Sequence, residues 1–70
     1  MFEYEIVDKM AVLSERTGSS LECNMVSWRK GKPRVDIRRW NEDHTQMGNG
    51  VALTDAEAKA LYEALKGRYE

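Results

Sequence analysis

The sequence is short of the residues that usually hold very small proteins together. Its 70 residues include one cysteine, one histidine and one proline, so an intrachain disulfide is excluded and no Cys/His cluster offers a zinc site. A chain of this length buries only about 60% of its unfolded surface. Self-association is the remaining way to stabilise it. We expect one domain over residues 1–70, a homodimer, and no cofactor.

Long apolar runs are also absent. No stretch approaches the roughly 20 residues of a membrane span, and the acidic start, Met1–Glu5, lacks the positive charge and apolar core of a signal peptide. A lone free cysteine is typical of a reducing compartment. These features predict a cytoplasmic protein that makes no membrane contact.

Net charge is nearly absent, at −1, which argues against a uniformly basic nucleic-acid binder. The basic residues are nevertheless concentrated, because six of the eleven lie within residues 27–40 beside a single acid. They are Arg29, Lys30, Lys32, Arg34, Arg38 and Arg39. This asymmetry favours a local contact with an anionic partner.

Alternating polarity predicts strands before residue 54. Phe2, Tyr4 and Ile6 alternate with acids until Asp8 breaks the pattern, which fits either one long kinked strand or two short ones. The next strand, Leu21–Trp28, has apolar residues on both faces, so its phase is ambiguous.

A clearer strand spans Arg34–Trp40. Val35 and Ile37 are expected to point to the core. The opposite, solvent-facing side is expected to carry Arg34, Asp36, Arg38 and Trp40.

Turn formers separate these strands. Arg29–Pro33 is predicted to be a hairpin turn in which Gly31 supplies a positive φ. Asn41–Asn49 is predicted to be a loop, and Gly50–Leu53 a short strand.

The clearest local signal marks the start of a helix. Thr54 and Glu57 form a capping-box pattern, and Gly67 is placed where a helix would end. The apolar stripe of this helix comprises Ala58, Leu61 and Leu65, with Tyr62 beside it. Strands followed by one helix, without alternation, predict an α+β protein with an antiparallel sheet.

Enzymatic chemistry has little support. His44 is expected to be an exposed loop residue, and Cys23 a small core side chain. Gly48–Gly50 is too short for a nucleotide-binding loop and fits a turn. We therefore expect no enzyme, no catalytic or metal-binding residue and no small-molecule substrate.

The basic hairpin suggests a different role. Arg34, Arg38 and Trp40 share a strand face, where alternate residues are about 6.6 Å apart, close to the nucleotide spacing of an extended single strand. Guanidinium groups can then pair with phosphates while an indole stacks on a base. The alternatives are a solvated hairpin that pairs with the acidic first strand, and a Trp40 that closes the core. The pattern around Trp28 is equally compatible with a place in the core and with stacking on a base. Asp36 is expected either to orient a neighbouring arginine or to pair with a residue of the adjacent strand.

The stretch from Met25 to Leu53 resembles the C-terminal domain of the transcriptional coactivator positive cofactor four, and especially its bacterial YdbC-type relatives. The features that carry the resemblance are Val26-Ser27-Trp28, the basic turn, Asp36-Ile37-Arg38 with Trp40, Asp43-His44 with Met47-Gly48, Gly50 and the capped helix. Val12–Glu15 also matches, so the resemblance covers nearly the whole chain.

The resemblance implies a four-stranded antiparallel sheet, one C-terminal helix, a homodimer, and sequence-tolerant binding of single-stranded DNA or RNA in transcription, replication or repair. The implied contacts are Arg29, Lys30, Lys32, Arg38 and Trp40. Strand phase adds Arg34, and Trp28 offers a further platform. Asn49 stands where relatives often carry a lysine. A protein-interaction module that uses the sheet edge or the helix stripe is the alternative.

Overall fold

The computed structural model describes residues 3–70 as a four-stranded antiparallel sheet followed by one helix. The elements are β1 (Tyr4–Arg16), β2 (Ser19–Trp28), β3 (Arg34–Asn41), β4 (Met47–Leu53) and α1 (Asp55–Tyr69). The strands lie in the sheet in the order in which they occur in the chain. The predicted α+β class is confirmed. Phe2, which alternation assigns to the first strand, lies outside the described residues.

Strand β1 is one long strand with breaks in its register. It spans 13 residues, and its pairing with β2 shifts between Ile6 and Asp8, between Lys9 and Ala11, and again further along. Each such irregularity adds a residue to one strand and bends it. The long kinked strand is therefore the correct alternative, and these shifts explain why strict alternation stops at Asp8.

Strands β2 and β3 pair without interruption, which fixes the side chains that share a face. One face, which we call the tryptophan face, is formed by Ser20, Glu22, Asn24, Val26 and Trp28 of β2 and by Arg34, Asp36, Arg38 and Trp40 of β3. The opposite face carries Leu21, Cys23, Met25, Val35 and Ile37. The predicted phase of β3 is confirmed.

The tryptophan face is the buried side of the sheet. Its most buried side chains, each at most 1% exposed, are Val26, Asn24, Asp36 and Trp40. On the opposite face Val35 and Ile37 are only half-buried. The expectation that Val35 and Ile37 point to the core while Trp40 faces solvent is therefore wrong, because alternation fixes the face of a residue but not what covers that face.

The β2–β3 turn depends on two residues with left-handed backbone. Arg29 has φ 53° and Lys30 has φ 60°, so the prediction that Gly31 supplies the positive φ is wrong. Gly31 serves a close approach instead. Its N–H donates to the Trp28 carbonyl at 2.9 Å, and a Cβ at this position would lie 3.0 Å from the same oxygen.

Strand β4 is longer than predicted, since it begins at Met47 and not at Gly50. Asn41 closes the preceding loop, because its Oδ1 accepts the Gln46 N–H at 2.9 Å and its backbone N–H donates to the Gln46 carbonyl at 3.2 Å. The Asn41 Nδ2 also donates to Asp43 Oδ1 at 2.8 Å. These bonds confine the loop to residues 42–46 and bring β4 alongside β3 early.

The start of α1 is as predicted, and its end is not. Thr54 Oγ1 accepts the Glu57 N–H at 3.1 Å, and Glu57 Oε1 accepts the Thr54 N–H at 2.8 Å, which confirms the capping box. The predicted stop at Gly67 is wrong, because α1 continues to Tyr69. A glycine inside a helix is destabilising by only about 1 kcal/mol relative to alanine, and Gly67 does not adopt the positive φ of a C-terminal glycine cap.

The helix leaves part of its apolar stripe exposed in a single chain, since Ala58 is half-buried and Leu61 and Leu65 are exposed. No residue of α1 is buried, and its exposed large side chains are Leu61 (37%), Tyr62 (58%), Leu65 (48%) and Tyr69 (80%). Within residues 3–70, no helix is long and apolar enough to cross a bilayer.

Candidate nucleic-acid interface

An open groove of about 670 Å³ lies between the β2–β3 hairpin and β4. Its lining residues are Trp28, Gly31, Lys32, Arg34, Arg38, Met47, Gly48 and Ala52. Four residues predicted to bind nucleic acid, Trp28, Lys32, Arg34 and Arg38, are thus brought together. The remaining walls are small or apolar, so the charge of the groove is positive.

A buried carboxylate orients one of these arginines. The Arg38 Nε lies 3.1 Å from Asp36 Oδ1, and the Arg38 Nη2 lies 3.0 Å from Asp36 Oδ2. The Asp36 side chain is 1% exposed and the Arg38 side chain 16%. A two-point pair of this kind fixes the plane of a guanidinium as well as its position. The expectation that Asp36 orients a neighbouring arginine is confirmed.

Trp28 lies between the core and the groove. The Arg38 Cζ is 4.9 Å from the centre of its ring, and the Tyr4 ring centre is 6.0 Å away. The side chain is half-buried, and its Nε1 has no hydrogen-bond partner among the described residues. Trp28 therefore packs on Tyr4 and also lines the groove, and base stacking on it stays a prediction.

Trp40 takes no part in the groove. It is 1% exposed, with the Tyr4 ring centre at 5.2 Å and the His44 ring centre at 5.6 Å. The hydroxyl of Tyr4 donates to the His44 carbonyl, which fastens the 42–46 loop over the indole. The expectation that Trp40 offers a free stacking surface is wrong, and the alternative that it closes the core is correct.

His44 is a structural residue and not the exposed loop histidine that was expected. Its Nε2 lies 2.9 Å from Glu22 Oε2 and 3.0 Å from Glu22 Oε1. Burial tends to raise the pKa of Glu22, but hydrogen bonds from Ser20, Asn24 and His44 outweigh it and hold that pKa below its usual value. Glu22 and Asn24 alternate with Leu21, Cys23 and Met25 in β2, a pattern that could have indicated buried polar groups. No pattern in the sequence indicated that His44, in a distant loop, is the partner of Glu22.

The cationic side chains of the hairpin lie at the surface. Arg29, Lys30, Lys32 and Arg34 are all exposed. Lys30, Lys32 and Arg34 make no ion pair within 4 Å among residues 3–70. The alternative in which the basic residues of the hairpin form ion pairs with the acidic first strand is therefore not seen for Lys30, Lys32 and Arg34.

The groups with catalytic potential are elsewhere and isolated. Cys23 lies half-buried on the opposite face, where burial, together with the charge of Asp36, raises the pKa of its thiol and disfavours the reactive thiolate. Within the described part of the chain, no three His, Cys, Asp or Glu side chains are grouped so that they could hold a metal ion.

The fold and the groove define a small antiparallel β-sheet protein with a C-terminal helix and a basic, tryptophan-lined site. A family model described as Transcriptional Coactivator p15 (PC4) matches residues 16–64. The chain belongs to this family. It is also 42% identical over 65 residues to an uncharacterized protein of Treponema pallidum (strain Nichols), a match that covers 91% of this chain and 76% of that protein.

Membership of a family of transcriptional coactivators supports a nucleic-acid-binding role in broad terms. The match includes β2, β3, β4 and the first part of α1. It therefore contains every residue of the groove.

Proposed function

We propose that this protein binds single-stranded DNA or RNA, without sequence preference and without catalysis, as a YdbC-type bacterial member of its family. One observation carries the proposal: the groove combines a half-buried indole, Trp28, with the cations of Lys32, Arg34 and Arg38. Proteins that bind single strands unite a positive groove with aromatic or planar surfaces on which bases stack. Arg29 and Lys30 extend the positive surface to the tip of the hairpin.

The shape of the site favours single strands over duplex. The bases of a single strand can turn a face to a protein side chain, whereas the faces of bases inside a duplex are covered by their neighbours. The groove is bounded by strands and a tight turn. Base-edge readout in a duplex is made mostly by a helix or ribbon inside the major groove. Here the side chains that line the site are cationic, aromatic or small, which suits a phosphate backbone and the faces of bases more than their edges.

A second copy of the chain is the proposed partner for the uncovered apolar surface. Among residues 3–70, the exposed large apolar side chains outside α1 are Val7, Met10, Val12 and Leu13 of β1 and Val51 of β4, each 50–54% exposed. Together with Leu61, Tyr62 and Leu65 they are the large apolar side chains that a second copy would cover. Sedimentation at tens of micromolar should give twice the chain mass, and a folded monomer at that concentration would contradict the dimer.

The proposed setting is the bacterial cytoplasm, in transcription, replication or repair. The Treponema relative favours the bacterial branch of the family. The free thiol of Cys23 suits a reducing compartment.

A titration of labelled homopolymer single strand, with duplex as competitor, tests the proposal. We expect the single strand to bind and the duplex to compete poorly. If Arg29, Lys30, Lys32 and Arg34 each neutralise one phosphate, the log–log salt slope should be about −2.8 per protomer. Equal competition by duplex would contradict the proposal.

The second candidate function is a protein-interaction module, favoured by the exposed helix stripe of Leu61, Tyr62 and Leu65. It predicts that the oligonucleotide does not bind, or binds with an affinity that does not depend on salt. The same titration therefore separates the two functions.

A further inference from the structure

We propose that Arg38 serves in the groove as a planar platform on which an unpaired base stacks, and that Asp36 positions it for this task. Phosphates are bound by the other cations. The inference rests on the proposed single-strand binding and assigns a separate part in it to each charged residue.

One of the two edges through which the Arg38 guanidinium can bind a phosphate at two points, the Nε–Nη2 edge, is already engaged. Its Nε lies 3.1 Å from Asp36 Oδ1 and 3.2 Å from Asp36 Oδ2, and its Nη2 lies 3.0 Å from Asp36 Oδ2. Its Nη1 donates to the Gly48 carbonyl at 3.4 Å. The parallel Nε–H and Nη2–H pair, which binds carboxylate or phosphate at two points, is thus held by the protein itself.

The charge of Arg38 is also compensated. Asp36 is 1% exposed and lies in direct contact with it, so the pair presents little net charge to a phosphate in the groove. Lys32 and Arg34, which line the same groove, are exposed and make no ion pair among the described residues. The attraction for phosphate therefore belongs to Lys32 and Arg34.

Arg38 lies at the surface of the groove, where its side chain is 16% exposed. Its Cζ lies 4.9 Å from the centre of the Trp28 ring, so the guanidinium covers part of the indole. Both residues line the groove, and a base that approaches Trp28 on the side of Arg38 meets the guanidinium first. Guanidinium planes stack on indoles and accept bases on their free face. The result is a stack of indole, guanidinium and base.

The test compares the binding of two single-stranded oligonucleotides of equal length. One, the thymidine strand, is made of thymidine nucleotides, and the other, the abasic strand, is made of deoxyribose phosphates without bases. Arg38→Lys keeps the charge and an ion pair with Asp36 but removes the plane. It should weaken binding of the thymidine strand by about 5- to 150-fold, the effect of losing one stacked base, and leave the abasic strand unchanged. The control variant Lys32→Gln should weaken both strands and reduce the salt slope by about 0.7.

Other outcomes of this comparison would overturn the platform. Arg38→Lys that binds both strands as the wild type does would show that only the charge matters. Equal losses for the two strands would place Arg38 on a phosphate. Failure of the wild-type protein to bind the thymidine strand at all would instead overturn the proposed function.

The positioning role of Asp36 has its own readout. Asp36→Asn leaves the charge of Arg38 uncompensated, so the salt slope should steepen by about 0.7 while the preference for the thymidine strand over the abasic strand falls. If Asp36 were needed only for folding, its replacement would not make the salt dependence of binding steeper. An unchanged salt slope in Asp36→Asn would therefore overturn the positioning role of Asp36.

A further test uses only the wild-type protein, so its result does not depend on whether a variant folds. The Arg38 Nε–Hε NMR signal should move upfield with the thymidine strand, because a stacked base shields it, and should stay in place with the abasic strand. Equal shifts with the two strands would overturn the platform.

Discussion

The tryptophan face and the helix α1 are held by different kinds of interaction. On the tryptophan face Val26, Asn24, Asp36 and Trp40 are almost wholly buried, and the polar members bond to partners that are themselves buried or half-buried. In α1 no residue is buried, and its ion pair, Lys59 with Asp55 at 3.2 Å, is largely exposed. The tryptophan face buries most of its side chains within a single chain, although the Nε1 groups of Trp28 and Trp40 have no hydrogen-bond partner among the described residues, whereas α1 buries none of its side chains.

This contrast indicates that the tryptophan face provides most of the stability of a single chain, whereas α1 is available for contacts with another molecule. A buried polar group is stabilising only when its hydrogen bonds are made, so the tryptophan face tolerates little change. Exposed helix positions usually tolerate substitution within about 0.5 kcal/mol. Substitutions on the tryptophan face should therefore lower the free energy of unfolding much more than substitutions in α1. Equal effects in the two regions would contradict this contrast.

The largest effect is expected from Trp40→Ala. Removal of this 1% exposed indole leaves a cavity beneath Tyr4 and His44, and should lower the free energy of unfolding by about 3–5 kcal/mol. Urea unfolding followed by circular dichroism measures it.

The matched control for Trp40→Ala is Tyr69→Ala, which removes an aromatic ring that is 80% exposed in α1. We expect a change within about 0.5 kcal/mol. A Trp40→Ala protein as stable as the Tyr69→Ala protein would show that the tryptophan face is not the core.

Trp40 also shows how far the sequence could lead. Alternation correctly placed Arg34, Asp36, Arg38 and Trp40 on one face, and the capping box at Thr54 was readable because it is a local pattern. The burial of that face was not readable, because it depends on Tyr4 and on the 42–46 loop, which reach Trp40 through the tertiary fold.

The candidate site was predictable to a similar extent. The basic hairpin followed from the distribution of charge along the sequence. The sequence did not decide between core and stacking for Trp28, and for Asp36 it predicted either a neighbouring arginine or a cross-strand partner without identifying Arg38. The partnership of His44 with Glu22 joins residues 22 positions apart, and no local rule connects them. Sequence patterns report neighbours along an element; contacts between a loop and a strand follow only from the assembled sheet.

The next largest effect is expected from Glu22→Gln, and it should depend on pH. The side chain is 5% exposed and accepts bonds from Ser20, Asn24 and His44. Loss of the charge-assisted bonds should lower the free energy of unfolding by about 1.5–3 kcal/mol at pH 7.

The sign of the pH dependence follows from the lowered pKa of Glu22 in the folded protein. Its stabilising contribution is present above the ordinary value of 4.5 and is lost as the pH falls through the lower folded value. The difference between wild type and Glu22→Gln should therefore shrink in acid. Glu63→Gln, at an exposed position of α1, is the control and should change the free energy of unfolding by no more than about 0.5 kcal/mol at pH 7. A difference that grows in acid would contradict this account.

A smaller effect is expected from Gly50→Ala on the tryptophan face. A Cβ at this position would lie 2.5 Å from the Ile37 carbonyl and 2.6 Å from the Arg38 Cβ, so β3 and β4 must separate. Overpacking of this kind typically lowers the free energy of unfolding by about 1–3 kcal/mol. Thermal melting measures it, and a variant with an unchanged melting temperature would show that the two strands part freely.

The smallest effect is expected from Gly67→Ala, and its sign is the informative part. A helix that ends at Gly67 needs its glycine for a left-handed cap, and alanine would then be destabilising. Because α1 continues to Tyr69 and a Cβ at Gly67 would meet nothing within 4 Å, alanine should instead favour the helix by about 1 kcal/mol. Helix content from circular dichroism should rise. The gain in global stability should be smaller than this in the monomer, since no α1 residue is buried, and should grow with protein concentration if a second copy docks on the helix. A fall in helix content would show that the helix ends at Gly67 and that the glycine acts as its C-terminal cap.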